Sequence, residues 1–351
     1  MNRKDQPKIR PGSARKVLLI RLRRIGDIAM TTPAVAALKR ALPQASLTYI
    51  VEEPYGRLIE GNPDVEETIR IPPHQTAFSF LGLIRRLRRE RFDIAIDFHG
   101  GPRASRIAWL SGAGLKVGYE LKHKEFFYDI RVPRSRAGAP IHSVENHLNL
   151  VRAAGIEIHE PWPRLVLPPA LPEETKRIEE LWAANGTPDQ RMVVLHVGAG
   201  NAFRDWGSKN LSELAGCLAG LPEVLVALVG SAEDIPRAEQ MRVESRNAIL
   251  SFAGMLNLIE LRELIGRAKL FVGPDSGPMH IAASTSTPIV ALFGPNLPEY
   301  NAPWRAQATI IEKRLDCRPC KQRKCVTEDL RCLRSITVDE VFEACRTYLQ
   351  A

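Results

Sequence analysis

Four stretches of the sequence put chemically capable side chains directly after short apolar runs. In the first, Arg21-Leu22-Arg23-Arg24-Ile25-Gly26-Asp27 follows Val17-Leu18-Leu19-Ile20. A carboxylate placed there acts either as a general base on a hydroxyl or as a cap on the next helix. Neighbouring arginines favour its ionised form. Arg21 and Arg24, beside the flexible Gly26, also carry the charge to hold an anionic acceptor. In the second stretch, Gly273-Pro274-Asp275-Ser276-Gly277-Pro278-Met279-His280 opens a helix after Leu270 to Val272. Free N–H groups at a helix start bind phosphate, and small residues let the anion approach. Asp275, Ser276, Gly277, Pro278, Met279 and His280 are therefore candidates to bind the phosphates of a ligand. The alternative is a tight turn capped by Asp275 or Ser276 over a buried His280. The spacing around Ser276 does not match the G-x-S-x-G of a nucleophile elbow.

The third stretch runs from His196 to Trp206 through Gly198, Gly200 and Arg204. With Lys209 it forms either a second arm around a diphosphate or a solvated loop. Beyond the next apolar run, Gly230-Ser231-Ala232-Glu233-Asp234 offers an acidic pair. Glu233 is the candidate for hydrogen bonds to a nucleoside, and helix capping is the other use. The fourth stretch is Asp97-Phe98-His99-Gly100-Gly101, followed by Arg103 and Arg106. His99 is a candidate contact to the acceptor, although a lone His beside glycines is more often structural.

The elements that must position these groups alternate. Continuous apolar runs fit strands buried on both faces of a parallel sheet. Val17–Ile20, Leu47–Val51 and Asp93–Phe98 alternate with helical patterns, of which Thr32-Pro33 reads as one N-cap and first turn. Asn146–Ala154 is a further helix, with Gly155 its stop. A proline-dense stretch, Pro161 to Pro172, marks a boundary. The alternation then resumes through strands at Val193–Val197, Val224–Val229, Leu270–Val272 and Ile289–Phe293. Two βα series predict an α/β protein of two doubly wound domains. The expected division is a disordered basic lead (1–15), an N-terminal Rossmann-like domain (16–165), a C-terminal Rossmann-like domain (166–337) with a Cys-rich tail (317–332), and a closing helix (338–351).

A net charge of +9 suits an acidic partner, whether nucleic acid, an anionic membrane face or a phosphorylated substrate. No apolar run approaches the ~18 residues of a membrane span, and Met1 to Arg15 lacks the apolar core of a secretory signal. A cytoplasmic protein is expected. The segment Phe80–Arg91 carries Phe80, Leu83, Ile84 and Leu87 beside five arginines. It could rest on an anionic bilayer; packing on its sheet with a solvated basic face is the simpler expectation. Cys317, Cys320, Cys325 and Cys332 form C-x2-C-x4-C-x6-C. That spacing fits no common zinc or iron–sulfur pattern well; free packed thiols, redox-sensitive pairs and a structural metal are all open, and no metal is the favoured expectation.

Two rivals stand against these readings. A dehydrogenase would need G-x-G-x-x-G after the first strand, which is missing. A basic nucleic-acid-binding protein would interleave its charges with an aromatic platform, and none is recognisable.

Taken with these motifs, the chain from about Lys16 to Leu349 resembles glycosyltransferase family 9, the lipopolysaccharide heptosyltransferases. Gly273 to Ala283 is similar to the family's D-[ST]-G-x-x-H-x-A-A signature, and Pro288 to Pro295 to its P-x-V-A-L-F-G-P. Gly26, Asp27 and Pro33 match its G-D-x-x-x-x-x-P. The resemblance implies a GT-B fold, two facing Rossmann-like domains with a central cleft. It implies inverting transfer of heptose from ADP-heptose to a Kdo–lipid A or heptosyl-Kdo inner core at the inner membrane face, with no required metal. Asp27 falls on the family's catalytic base, and His280 on its donor-diphosphate region. Many members carry a lysine before the loop tryptophan. Here Arg204-Asp205-Trp206 stands instead, so Arg204 or Lys209 is expected to supply that charge. A member using another nucleotide sugar or another glycan is the nearest alternative.

Overall fold

The computed structural model describes residues 13–121, 125–134, 140–185, 190–245 and 249–350. Most of the expected basic lead, and all of 122–124 and 135–139, lie outside the described residues. The chain divides into two compact units, Met1–Pro169 and Ala170–Ala351, with the change falling inside the proline-dense stretch.

The first unit holds β1 (Lys16–Ile20), β2 (Ser46–Glu52), β3 (Glu67–Ile71), β4 (Ile94–Asp97), β5 (Leu115–Tyr119) and β6 (Ile130–Val132). They form one parallel sheet in the order β3-β2-β1-β4-β5-β6. The second holds β7 (Arg191–His196), β8 (Val224–Val229), β9 (Ile249–Ser251), β10 (Leu270–Pro274), β11 (Ile289–Phe293) and β12 (Ala308–Glu312). Its order is β12-β11-β10-β7-β8-β9, again parallel throughout. Both sheets thus share the doubly wound topology. In each, the strand order reverses at one place, between β1 and β4 and between β7 and β10. Loops leaving the carboxyl ends of those strands line the crevice where such sheets bind ligands.

The apolar runs do what a parallel sheet demands. Val17 to Ile20 are fully buried, because helices cover both faces. The helix Ala77–Glu90 buries Leu83, Ile84 and Leu87 against Leu18, Ile20 and Ile50, as the simpler expectation had it. Its outward side leaves Phe78 and Leu81 exposed. The closing helix Val338–Leu349 lays Val341, Cys345 and Leu349 into the core of the second sheet. No helix among the described residues is long and apolar enough to cross a membrane.

Local detail sharpens the expected elements. Asp27 lies on a five-residue helix, Ile25–Ala29. The next helix, Thr32–Ala41, is entered from Thr31 rather than Thr32. Thr32 is buried, and its hydroxyl accepts from the Val166 N–H at 3.0 Å. The helix that opens after β10 covers Gly277–Ala282.

Candidate functional site

At the crevice of the first unit, the loop after β1 meets the loop after β4. Arg21 is the hub. Its guanidinium donates to the Arg23 carbonyl at 3.0 Å and the Phe98 carbonyl at 2.8 Å, and pairs with Asp27 Oδ2 at 2.7 Å. Expected on an acceptor, Arg21 is instead buried and committed to Asp27. The Arg24 backbone N–H donates to the same carboxylate at 3.2 Å. Asp27 therefore both closes its own short helix and keeps a half-exposed side chain, 45% accessible. Desolvation would raise its pKa, but Arg21 and the Arg24 N–H hold the carboxyl below its usual range. It is therefore ionised at neutral pH and partly open to solvent, the state in which a carboxylate can act on a hydroxyl proton.

His99 lies beside this pair. Burial, with Arg21, Arg23 and Arg134 nearby, brings its pKa down to about 4 against the opposing pull of Asp27, so its ring is neutral at pH 7. Its loop is shaped by Asp97, whose Oδ1 accepts from the His99 and Gly100 N–H groups at 2.8 and 2.9 Å. Gly100 adopts φ +72°, which glycine takes without strain. Arg103 is held within the first unit. Its guanidinium meets Glu52 and Gln75 and the carbonyls of Pro72 and Pro73. Arg24 and Arg106 are exposed.

The structure adds His147, which motif reading passed over. It sits on the helix Ser143–Ala153, buried, with Nδ1 2.8 Å from the Tyr119 hydroxyl and its ring edge-on to Phe98 at 5.3 Å. Burial, then Arg21 and Arg134, keep it well below the usual histidine value. Val144, Leu148 and Val151 are buried on the same helix. A titratable residue at that apolar spacing was the available signal.

At the crevice of the second unit, the loop after β7 meets the turn after β10. Arg204 Nη1 donates to the Asp275 carbonyl at 2.8 Å and lies 3.2 Å from Asp275 Oδ2; its Nε donates to Gln322 Oε1 at 2.8 Å. Asp275 is buried and accepts a further bond from Asn296 Nδ2 at 3.0 Å. Expected as a donor contact, its carboxylate instead anchors Arg204. The next residue, Asp205, turns to Arg237 at 2.6 Å, and Trp206 is buried with its indole N–H on the Ile336 carbonyl. A small hollow beside Arg204 is lined by His196, Gly198, Gly273 and Pro274. Burial takes His196 down to about 4, and its Nδ1 lies 3.3 Å from Ser276 Oγ. Ser276 stands at the N-terminal boundary of the helix Gly277–Ala282, on which Met279 and His280 are buried. Lys209 is exposed near the start of the helix Ser208–Ala219.

The acidic pair separates. Glu233 is exposed. Asp234 is occupied: its Oδ2 accepts from the Ser231 N–H and hydroxyl, both at 2.8 Å. That carboxylate fills the space a side chain would need at Gly198 and Gly230, where an added Cβ would come within 2.2 and 2.7 Å of Asp234. The four clustered cysteines are free thiols, with Cys332 buried. Among the described residues, no three His, Cys, Asp or Glu side chains gather as metal ligands.

Comparison with known proteins agrees with this architecture. The model of a family described as glycosyltransferase family 9 (heptosyltransferase) matches residues 80–331. Lipooligosaccharide heptosyltransferase 2 of Haemophilus influenzae is 30% identical over 315 residues, which cover 84% of this chain and 88% of that protein. A family 9 glycosyl transferase from Veillonella parvula superposes with a TM-score of 0.84 at 22% identity, covering 96% of this chain and 97% of the other. The Escherichia coli ADP-heptose LPS heptosyltransferase II does so with a TM-score of 0.77 at 23% identity, covering 95% and 98%. The fold is of the GT-B class.

Proposed function

Since the chain belongs to glycosyltransferase family 9, the heptosyltransferase family, and is therefore a glycosyltransferase, we propose that it transfers heptose from ADP-heptose, with inversion, to the inner core of lipopolysaccharide. The observation that carries this reading is the Arg21–Asp27 pair: an ionised, half-exposed carboxylate at the crevice of a doubly wound sheet. The Asp27 carboxylate takes the proton of the acceptor hydroxyl, whose oxygen attacks the anomeric carbon. The bond from that carbon to the diphosphate oxygen breaks, and ADP leaves with the electron pair. Neutral His99 is available to orient a hydroxyl, and buried His147 supports the site from behind through Tyr119. On the second unit, the N–H groups opening the helix Gly277–Ala282, with Ser276, Arg204 and Lys209, stabilise the charge on the departing diphosphate. His280 lies on that helix, and exposed Glu233 is suited to the nucleoside. These groups supply the positive field without a metal. The name of the Escherichia coli structural neighbour supports the ADP donor, and the lipooligosaccharide relative supports the acceptor class.

A panel of ADP-, UDP-, GDP- and CMP-sugars tests the donor. ADP-heptose should raise the melting midpoint and be consumed at least about tenfold faster than the others, a difference of ~1.4 kcal/mol. Equal response to a UDP-sugar would refute the assignment.

The acceptor is lipid-borne, so the protein is proposed to work in the cytoplasm at the inner membrane face. Exposed Phe78 and Leu81, with exposed Arg85 and Arg89 one and two turns beyond Leu81 on the helix Ala77–Glu90, supply an apolar and cationic contact for an anionic bilayer. Anionic vesicles should pellet the protein at low salt and release it at about 0.5 M, where charges are screened. Failure to pellet at low salt would remove the membrane contact.

A further inference from the structure

We infer that Gln322, carried by the Cys-rich loop, is a positioning residue for donor binding: it holds Arg204 in the orientation that meets the diphosphate. The inference rests on Arg204 being a donor ligand. Gln322 stands between Cys320 and Cys325, in a loop that the proposed acid–base chemistry does not use. Its amide oxygen accepts from Arg204 Nε at 2.8 Å and from Asn201 Nδ2 at 2.9 Å. One acceptor thus clamps two residues of the loop after β7.

The arrangement leaves Arg204 little freedom. Nη1 is held by Asp275 and Nε by Gln322. A planar guanidinium fixed on two sides presents its remaining N–H groups in one direction, and side chains already ordered lose less entropy when an anion binds. Removing the Gln322 acceptor frees the arginine to rotate about the Asp275 contact.

The loop is itself anchored to the floor of the same site. The Cys320 N–H donates to the Pro295 carbonyl at 3.0 Å. Arg318, its side chain only 3% exposed, pairs with Glu312 at 2.7 Å and donates to the Asn296 carbonyl at 2.6 Å. Asn296 in turn donates to Asp275. The loop therefore reaches Asp275 by one route and Arg204 by another. Gln322 also adopts φ +53°, a left-handed conformation that non-glycine residues seldom take. Such a conformation persists only where the surroundings fix it.

The test uses full-length enzyme, titration calorimetry with ADP, and steady-state kinetics with ADP-heptose and acceptor. Gln322→Leu keeps the side chain's bulk and removes the acceptor; Gln322→Glu keeps an acceptor. Gln322→Leu is expected to weaken ADP binding and raise the donor KM about tenfold, the effect of one hydrogen bond to a charged group, with the acceptor KM unchanged. Gln322→Glu should restore both. In an Arg204→Met, Asp275→Asn background, Gln322→Leu should add no further loss, because the group it positions is gone. If Gln322→Leu binds ADP normally while that background binds it weakly, the positioning role is overturned. Equal losses in the Leu and Glu variants would overturn it too. If the background itself binds ADP normally, the donor role of Arg204 fails first.

Discussion

Asp27→Asn should leave ADP binding within about twofold of the wild type while turnover falls by ~10²-fold to 10⁴-fold, the range for removing a general base. The amide is nearly the same size and can still accept from the Arg24 N–H, so the short helix Ile25–Ala29 persists. What disappears is the basic oxygen. Arg21→Met is the companion variant. With the guanidinium gone, the largest opposition to desolvation of Asp27 is lost and the Arg24 N–H is left to offset it, so the pKa rises from below the usual aspartate range. Protonation then removes the base as the pH falls. The acid limb of kcat/KM should move to higher pH, with activity recovering as pH rises. A folded Asp27→Asn enzyme with turnover within about threefold of wild type would take Asp27 out of the chemistry.

Arg204→Met should damage the second unit twice over. Asp275 is 3% exposed and has Arg204 as its cationic partner. Removing one member of a buried pair strands the other charge, at a cost of ~3–5 kcal/mol, a large share of a unit's total stability. The melting midpoint should drop accordingly. ADP affinity should fall by ~10²-fold through loss of a charge-assisted diphosphate contact. Asp275→Asn separates the two effects. Added to Arg204→Met it neutralises the stranded group, keeps a carbonyl for Asn296, and should recover most of the melting loss but none of the ADP affinity. Recovery of both would show that Arg204 serves the fold alone.

Much of the architecture was legible because a parallel sheet covered on both faces writes itself as apolar runs, as at Val17–Ile20 and Val224–Val229. The strand-to-helix turns were found for the same reason, since Asp27, His99, Arg204 and Ser276 each follow such a run. What individual side chains do there was less visible. Arg21 and Arg24 looked equivalent as cations, yet burial separates them: Arg21 is spent on Asp27, and Arg24 is exposed. Asp275 and Arg204 were read as two independent ligands and prove to be one another's partners. Gln322 joins them from far along the chain. Spacing rules see helices, strands and turns, whereas these contacts depend on which loops a finished sheet brings together. His147 was missed because a histidine within an amphipathic helix belongs to no motif.

The carboxylate of Asp234 ties the histories of two glycines together. Neither Gly198 nor Gly230 has room for a methyl group while that acid is in place, and Ser231 pins the acid where it is. Alanine at either position forces the acid to swing away from Ser231, or to be lost or shortened. The three positions are thereby coupled, and laboratory evolution of this loop should start from position 234.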